Sequence, residues 1–371
     1  MYDQIREDTL FIILYTVITA MAMIASCYLL FRRGNAFAPD ITPPARLRRW
    51  TAVFFAAIAL NHLWYMPIFF LTSSEDIMLC DLMGGLLDSI TFFPLTIVVL
   101  LTMLQDRRRP LWPVAVMMVP LVVEAAFSVA TLSYAILPMV YVYSLLMSIG
   151  LIIYMVRALR QYGRWLHENY ADLEHKEVWQ SFVVLAIVLL MFAVYALTNE
   201  NPIFIYVMLV VIAVLICYLL WRVETLSDLS TSVQSDEDGT EETVVSEDVE
   251  DCDPLSTRNN IRPLLKQYCE ETQLYLKYDI SLPQLAKDIG TNRLYLSKHF
   301  SSQGMTYNAY INGLRIQHFI KLYHEAVATH QPIMVQRFAL QSGFRSYSTF
   351  NAAFKQSMGM TATEWMRNLA E

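Results

Sequence analysis

Leu282-Pro-Gln-Leu-Ala-Lys-Asp-Ile-Gly290 runs directly into Thr291-Asn-Arg-Leu-Tyr-Leu-Ser-Lys-His-Phe300, and this stretch decides the fold of the carboxyl-terminal part of the chain. Apolar residues recur at helical spacing on both sides of a glycine, which is the pattern of two helices meeting at a tight turn. The plan recurs fifty residues on. Val335-Gln-Arg-Phe-Ala-Leu-Gln-Ser-Gly343-Phe344 supplies a supporting helix and turn, and Ser346-Tyr-Ser-Thr-Phe-Asn-Ala-Ala-Phe-Lys355 the helix that follows. In each copy a small alanine, Ala286 or Ala339, stands four residues before the glycine, Gly290 or Gly343. There two helices must approach closely and the turn calls for positive φ.

The quoted residues, with Leu285-Ala286, Leu296 to Phe300, Gly304, Arg315-Ile316, Ala339, Gly343-Phe344 and Phe350 to Lys355, resemble the DNA-binding domain of AraC/XylS-type transcription regulators. The resemblance runs from about Asn260 to Leu369. It departs from the family pattern at Thr361-Ala362, where proline usually follows the threonine, and at Phe338, where isoleucine is usual. Both are packing positions. The resemblance implies an all-α double helix-turn-helix domain that binds promoter DNA, with Leu294, Ser297 and Lys298 as base readers in the first recognition helix and Ser348 with Ala352 in the second.

The residues themselves support that chemistry. A recognition helix presents its first turns to base edges while its partner crosses the backbone. Asn292, Arg293, Leu294, Ser297 and Lys298 are expected on the outer face of the first, with Leu296, Phe300 and part of Tyr295 packed inward. Arg345, Ser346, Tyr347, Ser348, Thr349 and Asn351 or Ala352 are expected outward on the second, with Phe350 and Phe354 inside. Arg and Lys suit phosphates or guanine, Asn and Ser suit base edges, and Leu294 suits a thymine methyl. Ala352 has no polar group, so the second helix is expected to work more through backbone contacts from Arg345, Tyr347 and Thr349. Ser281 is expected to cap the helix that opens with Pro283, Asn292 or Thr291 the first recognition helix, and Ser346 the second. A connecting helix near Thr306 to His324, about 19 residues or roughly 28 Å long, spaces the two copies at about one turn of duplex.

Upstream the composition changes character. The whole chain is 56% hydrophobic and only 16% charged, with a net charge of −7. That average conceals three segments. Residues 1–222 carry 14 Lys and Arg against 15 Asp and Glu, residues 223–254 none against 12, and residues 255–371 carry 13 against 7. The last segment is basic, as a phosphate-binding surface should be.

Residues 1–222 read as a seven-helix transmembrane domain. Apolar stretches near 9–31, 51–72, 82–104, 113–132, 138–156, 179–198 and 202–221 are each long enough to cross a hydrocarbon core of roughly 30 Å. The first is not read as a cleaved signal peptide, because the segment before it is acidic. Lys and Arg crowd the loops after stretches one, three and five, while the loops after two, four and six have none. Positive charge stays inside. The amino terminus is therefore expected outside, and the helix-turn-helix domain in the cytoplasm of a bacterium whose inner membrane holds the chain. Residues 223–256 read as a disordered acidic linker and 257–371 as the DNA-binding domain. The linker's plain role is a solvated spacer; its sharper role is to compete with DNA for the basic domain.

Three ionisable residues stand inside the apolar stretches, His62, Asp88 and Glu124. With Asn61 and several tyrosines they fall in the expected outer half, where they either line a pocket for a small extracytoplasmic ligand or satisfy one another between helices. The five cysteines show no C-x-x-C spacing, and no cofactor or metal ligand set is read from the chain. No metalloprotease motif or nucleophile elbow occurs, and the sole lysine before the linker, Lys176, lies in a loop. The sequence thus implies a non-enzymatic, membrane-bound regulator whose partners are promoter DNA, membrane lipid, RNA polymerase and, through bivalent binding, a second copy of itself. The alternative is a membrane receptor or enzyme whose helical tail binds a protein partner.

Overall fold

The computed structural model describes residues 8–32, 34–39, 41–131, 137–184, 186–187, 202–229 and 261–370. The described chain is helical, with no strand beyond a single isolated bridge between Tyr170 and Ser281. It divides into two compact units. The first holds residues 1–160 and 178–233, the second residues 161–177 and 234–371.

In the first unit, α1 spans Thr9–Phe31, α2 Ala45–Tyr65, α3 Ser74–Met103, α4 Trp112–Thr131, α5 Leu137–Asn169, which continues into the second unit, and α6 Pro202–Thr225. Asp8 caps α1 by accepting from the Leu10 and Phe11 amides. Small residues let α1 and α2 approach: Ala22, Ala25, Ser26, Ala52 and Ala59 are buried, and the Ser26 hydroxyl donates to the Ala52 carbonyl at 2.8 Å. That is how helices associate where water does not drive them together. Outward-facing side chains are apolar, with Ile24 and Leu60 more than 60% exposed. Among the described residues, five helices are long and apolar enough to cross a membrane, Thr9–Phe31, Ala45–Ile68, Ser74–Met103, Trp112–Thr131 and Tyr206–Thr225. Stretch 138–156 falls within α5; stretch 179–198 lies mostly outside the described residues, as does the linker beyond residue 229.

The start of the expected linker is not a solvated spacer. Residues 223–229 belong to the first unit, and Val223, Glu224, Leu226 and Leu229 are buried there. Arg48 pairs with the Glu224 carboxylate at 3.3 Å, Asp228 donates its amide to the Thr42 carbonyl, and the Gln105 side chain bonds both Ser227 and Leu229. Composition marked these residues as acidic and therefore exposed. A cationic partner for the buried Glu224 and backbone bonds at Ser227, Asp228 and Leu229 reverse that reading.

In the second unit, residues 261–265 are helical and lead through a wide π turn, Lys266–Glu270, to a 3-10 turn, Leu274–Leu276. Then come α7, Leu282–Asp288; α8, Arg293–Ser302; α9, Tyr307–Ala328; α10, Val335–Gln341; α11, Tyr347–Met358; and α12, Ala362–Ala370. Two cores form along α9. Its first half gives Tyr307 and Ile311 to a cluster with Leu265, Ile280, Leu285, Ala286, Leu296 and Phe300. Its second half gives Ile316 and Phe319 to a cluster with Phe338, Ala339, Phe344, Phe350, Phe354 and Ala362. At 22 residues α9 is longer than expected, about 33 Å. Phe338 at the usual isoleucine position is buried against Phe319, with ring centroids 6.5 Å apart. Gly290 and Gly343 take the positive φ their turns call for, 70° and 87°.

The departure at Thr361-Ala362 also has a physical reading. Thr361 and Glu364 cap the start of α12 reciprocally: the Thr361 amide and hydroxyl donate to the Glu364 carboxylate, and the Glu364 amide donates back to the Thr361 hydroxyl. Ala362, where proline is usual, is fully buried. These bonds hold the Glu364 carboxyl below its ordinary pKa. Stability from a depressed carboxyl is present above the unfolded pKa and is lost as pH falls through the folded one. Wild type is therefore expected to outlast Glu364→Ala at pH 7, with the difference in melting temperature closing as pH drops below about 4; an unchanged difference at pH 3 would refute the charged cap.

Candidate nucleic-acid interface

The two helices expected to meet DNA begin in the same way. The Asn292 side chain accepts from the Leu294 amide at 2.8 Å, and the Ser346 hydroxyl accepts from the Thr349 amide at 3.3 Å. Such caps satisfy amides that a helix start leaves unpaired. Thr291 does not cap. Ser281 occupies the cap position of α7 without a side-chain bond to it.

Below the caps, Leu296 and Phe300 fix the roll of α8 by packing inward, fully buried. Leu294 is then 58% exposed, Asn292 and Lys298 are exposed, and Arg293 and Ser297 are half-buried. Tyr295, expected partly inward, is 46% exposed. At 100° per residue it falls outside the stripe that Leu296 and Phe300 define. On α11, Phe350 and Phe354 are buried; Ser348 and Ala352 are exposed; Arg345, Ser346, Thr349 and Asn351 are half-buried. Tyr347 is turned partly inward, its ring 5.9 Å from that of Phe350. The Arg345 guanidinium lies over the Tyr278 ring at 5.7 Å.

These outward faces have company that the sequence did not disclose. Asn169 accepts from Arg293 Nε at 3.0 Å, and one Glu174 carboxylate oxygen accepts from the Ser346 and Thr349 hydroxyls at 2.8 and 3.0 Å. Both belong to residues 161–177, read from sequence only as a loop between apolar stretches. Nothing periodic marks them, and their partners lie more than a hundred residues away in sequence.

With this geometry in view, the comparisons agree with it. Residues 285–368 match a family model described as a helix-turn-helix domain. The carboxyl-terminal domain is an AraC-type helix-turn-helix domain. An uncharacterized HTH-type transcriptional regulator of Staphylococcus aureus is 29% identical over 102 residues, 27% of this chain and 13% of that protein. The TCP pilus virulence regulatory protein of Vibrio cholerae serotype O1 is 32% identical over 79 residues, 21% of this chain and 27% of that protein. The chain thus spans about a quarter or less of these relatives. No solved structure matches the chain.

In the first unit the three ionisable residues separate. Asp88 accepts from Asn61 Nδ2 at 2.7 Å and from the Tyr65 hydroxyl at 2.9 Å. His62, beside Asn61 in sequence, bonds Thr19 at 3.2 Å and stacks on Tyr15 at 4.5 Å. Glu124 instead accepts from Ser128, one turn along its own helix. Asp88 is thus bonded between α2 and α3, and His62 between α1 and α2, through neighbouring residues Asn61 and His62 of α2, while Glu124 bonds Ser128 on its own helix.

Proposed function

We propose that the chain is a membrane-bound, sequence-specific DNA-binding regulator of transcription, not an enzyme. It reads two successive major-groove segments of promoter DNA with α8 and α11. The observation that carries this reading is the pair of capped helices, each exposing short polar or basic side chains near its start, joined by a rod of about 33 Å. That length is close to the 34 Å repeat of the major groove on one side of a duplex. Leu294, Ser297, Lys298, Ser348 and Ala352 face the bases, while Asn292, Arg293, Arg345, Ser346, Tyr347 and Thr349 hold the backbone. In this reading the chain sits in the bacterial inner membrane with the amino terminus outside and this domain in the cytoplasm, where it meets RNA polymerase; the apolar helices and the Lys and Arg pattern of the loops support it. Two copies side by side in the membrane bind DNA bivalently, and the polar residues His62 and Asp88 are where a small extracytoplasmic ligand would act.

The test is DNA affinity of the full chain in lipid nanodiscs across a salt series, with Arg293, Lys298 and Arg345 each replaced by alanine. Loss of Arg293 or Arg345, which hold the backbone, is expected to weaken binding on all sequences and to flatten the slope of log affinity against log salt by about 0.9, and loss of Lys298, which faces the bases, to weaken binding most on the preferred sequence. Alanine at Leu294 or Ser297 is expected to relax sequence preference while leaving the slope alone. Slopes unchanged in all three basic variants would favour a helical tail that binds a protein.

A further inference from the structure

The segment Gln161–Glu177 is built into the helix-turn-helix unit, and it ends on the groups that DNA would use. Its anchor is buried. Tyr170 pairs with Ser281 in an antiparallel bridge, and the Ala171 amide donates to the Ile280 carbonyl. Ala171, 3% exposed, is part of the first hydrophobic core. Asn308, buried on α9, donates to both the Tyr170 and Ala171 carbonyls at 3.1 and 2.8 Å. Lys176 reaches Asp279 at 3.0 Å and lies over the Tyr170 ring. His175 takes a left-handed φ of 63°, which closes a turn at Glu174–Lys176 and suits the few residue types, histidine among them, that tolerate it.

The polar groups of this segment meet the starts of both helices, with Asn169 and Asp172 buried. Glu174, about a third exposed, places one carboxylate oxygen on two hydroxyls in the first turn of α11. Asn169 places its side-chain oxygen on Arg293 in the first turn of α8. A carboxylate held by hydroxyls at a helix start makes the same contacts as a phosphate oxygen. The segment carries four acidic residues, Glu168, Asp172, Glu174 and Glu177, against Arg164 and Lys176.

We propose that Gln161–Glu177 is an intramolecular competitor of DNA: Glu174 and Asn169 occupy the starts of α11 and α8 in place of duplex phosphates, and DNA binds when they let go. This rests on the reading of α8 and α11 as the DNA-binding helices. The segment is the carboxyl-terminal continuation of α5, whose earlier residues contain the fifth apolar stretch.

The experiment uses the full chain in lipid nanodiscs and a fluorescent pool of random-sequence 40-base-pair duplex, read by anisotropy at low salt. Glu174→Gln removes the charge and leaves the buried anchor intact. Asn169→Ala frees Arg293 by a separate route. Losing a charge-assisted hydrogen bond from the closed form is expected to raise DNA affinity about tenfold for Glu174→Gln and less for Asn169→Ala. The gain is expected to vanish when Arg345→Ala and Lys298→Ala are added. If Glu174→Gln and Asn169→Ala leave affinity unchanged or lower it, while Arg345→Ala and Lys298→Ala weaken it, the competitor is refuted and the DNA-binding reading stands. If no variant, basic or acidic, alters DNA binding, the DNA-binding reading falls and takes the competitor with it.

Discussion

Arg315→Met is expected to lower the stability of the helix-turn-helix unit by roughly 3–5 kcal/mol. The residue sits near the middle of α9, between the two cores, and is 1% exposed. Its Nε donates to the Tyr275 carbonyl at 2.8 Å and one terminal nitrogen to the Lys277 and Tyr278 carbonyls at 2.7 and 3.3 Å. The guanidinium also lies over the Phe344 ring at 5.6 Å. One side chain thus ties the turn before α7, in the first copy, to the glycine turn of the second. Burial lowers its pKa only to about 10, so it is a cation at neutral pH and must be held as one. Methionine fills much of the same volume, and the loss is therefore one of bonding more than packing. It strips a buried polar region of its donor, which costs more than the bonds were worth in water. Lysine keeps the charge but cannot reach three carbonyls as a rigid fork, so Arg315→Lys should fall between. Hydrogen exchange would show the effect first in residues 275–278; a methionine variant as protected there as wild type would refute the clamp.

Arg315 also marks where the sequence stops being informative. As part of the Arg315-Ile316 pair it carried a resemblance, while its role depends on carbonyls 37 to 40 residues upstream. The two helix-turn-helix copies were legible because every signal in them is local: a glycine that needs positive φ, an alanine four residues earlier, a polar cap, and inward residues at helical spacing. Asn292 and Ser346 cap as their positions suggest. Periodicity alone does not settle side chains at the edge of the buried stripe, as with Tyr295, expected partly inward and 46% exposed, and Tyr347, expected outward and leaning on Phe350. The contacts of Glu174 and Asn169 were invisible, since a short polar loop has no period and charge alone does not name a partner. For the same reason the acidic start of the linker read as solvated, although Arg48 waits for Glu224. Glu174, for which competition with DNA is proposed above, belongs to a different segment from the acidic linker, whose residues beyond 229 lie outside the described ones.

The two glycines that look like twins in sequence should respond very differently to one added methyl group. Gly290→Ala places a side chain at a φ of 70° with nothing within 4 Å of the new carbon, so the cost is the left-handed backbone alone, about 1 kcal/mol. Gly343→Ala pays a similar conformational cost at 87° and meets a second obstacle. Its new carbon would lie 2.7 Å from both the Cα and the carbonyl oxygen of Leu276. Those atoms are backbone in a 3-10 turn beside the first core, and they cannot swing aside as the end of a long side chain would. Relief requires the turn of the second copy to withdraw from the first, loosening Phe344 from the Arg315 guanidinium and tilting the start of α11. The expected loss for Gly343→Ala is roughly 3 kcal/mol or more. The contrast is best measured with both variants in the full chain, by exchange protection of α7 and of α10 and α11. Gly290→Ala should leave α10 and α11 as protected as in wild type, whereas Gly343→Ala should release both helices while α7 keeps most of its protection. Equal, small losses in the two variants would mean that the Leu276 turn yields, and that close approach of the two copies at Gly343 does little to hold α11 in place.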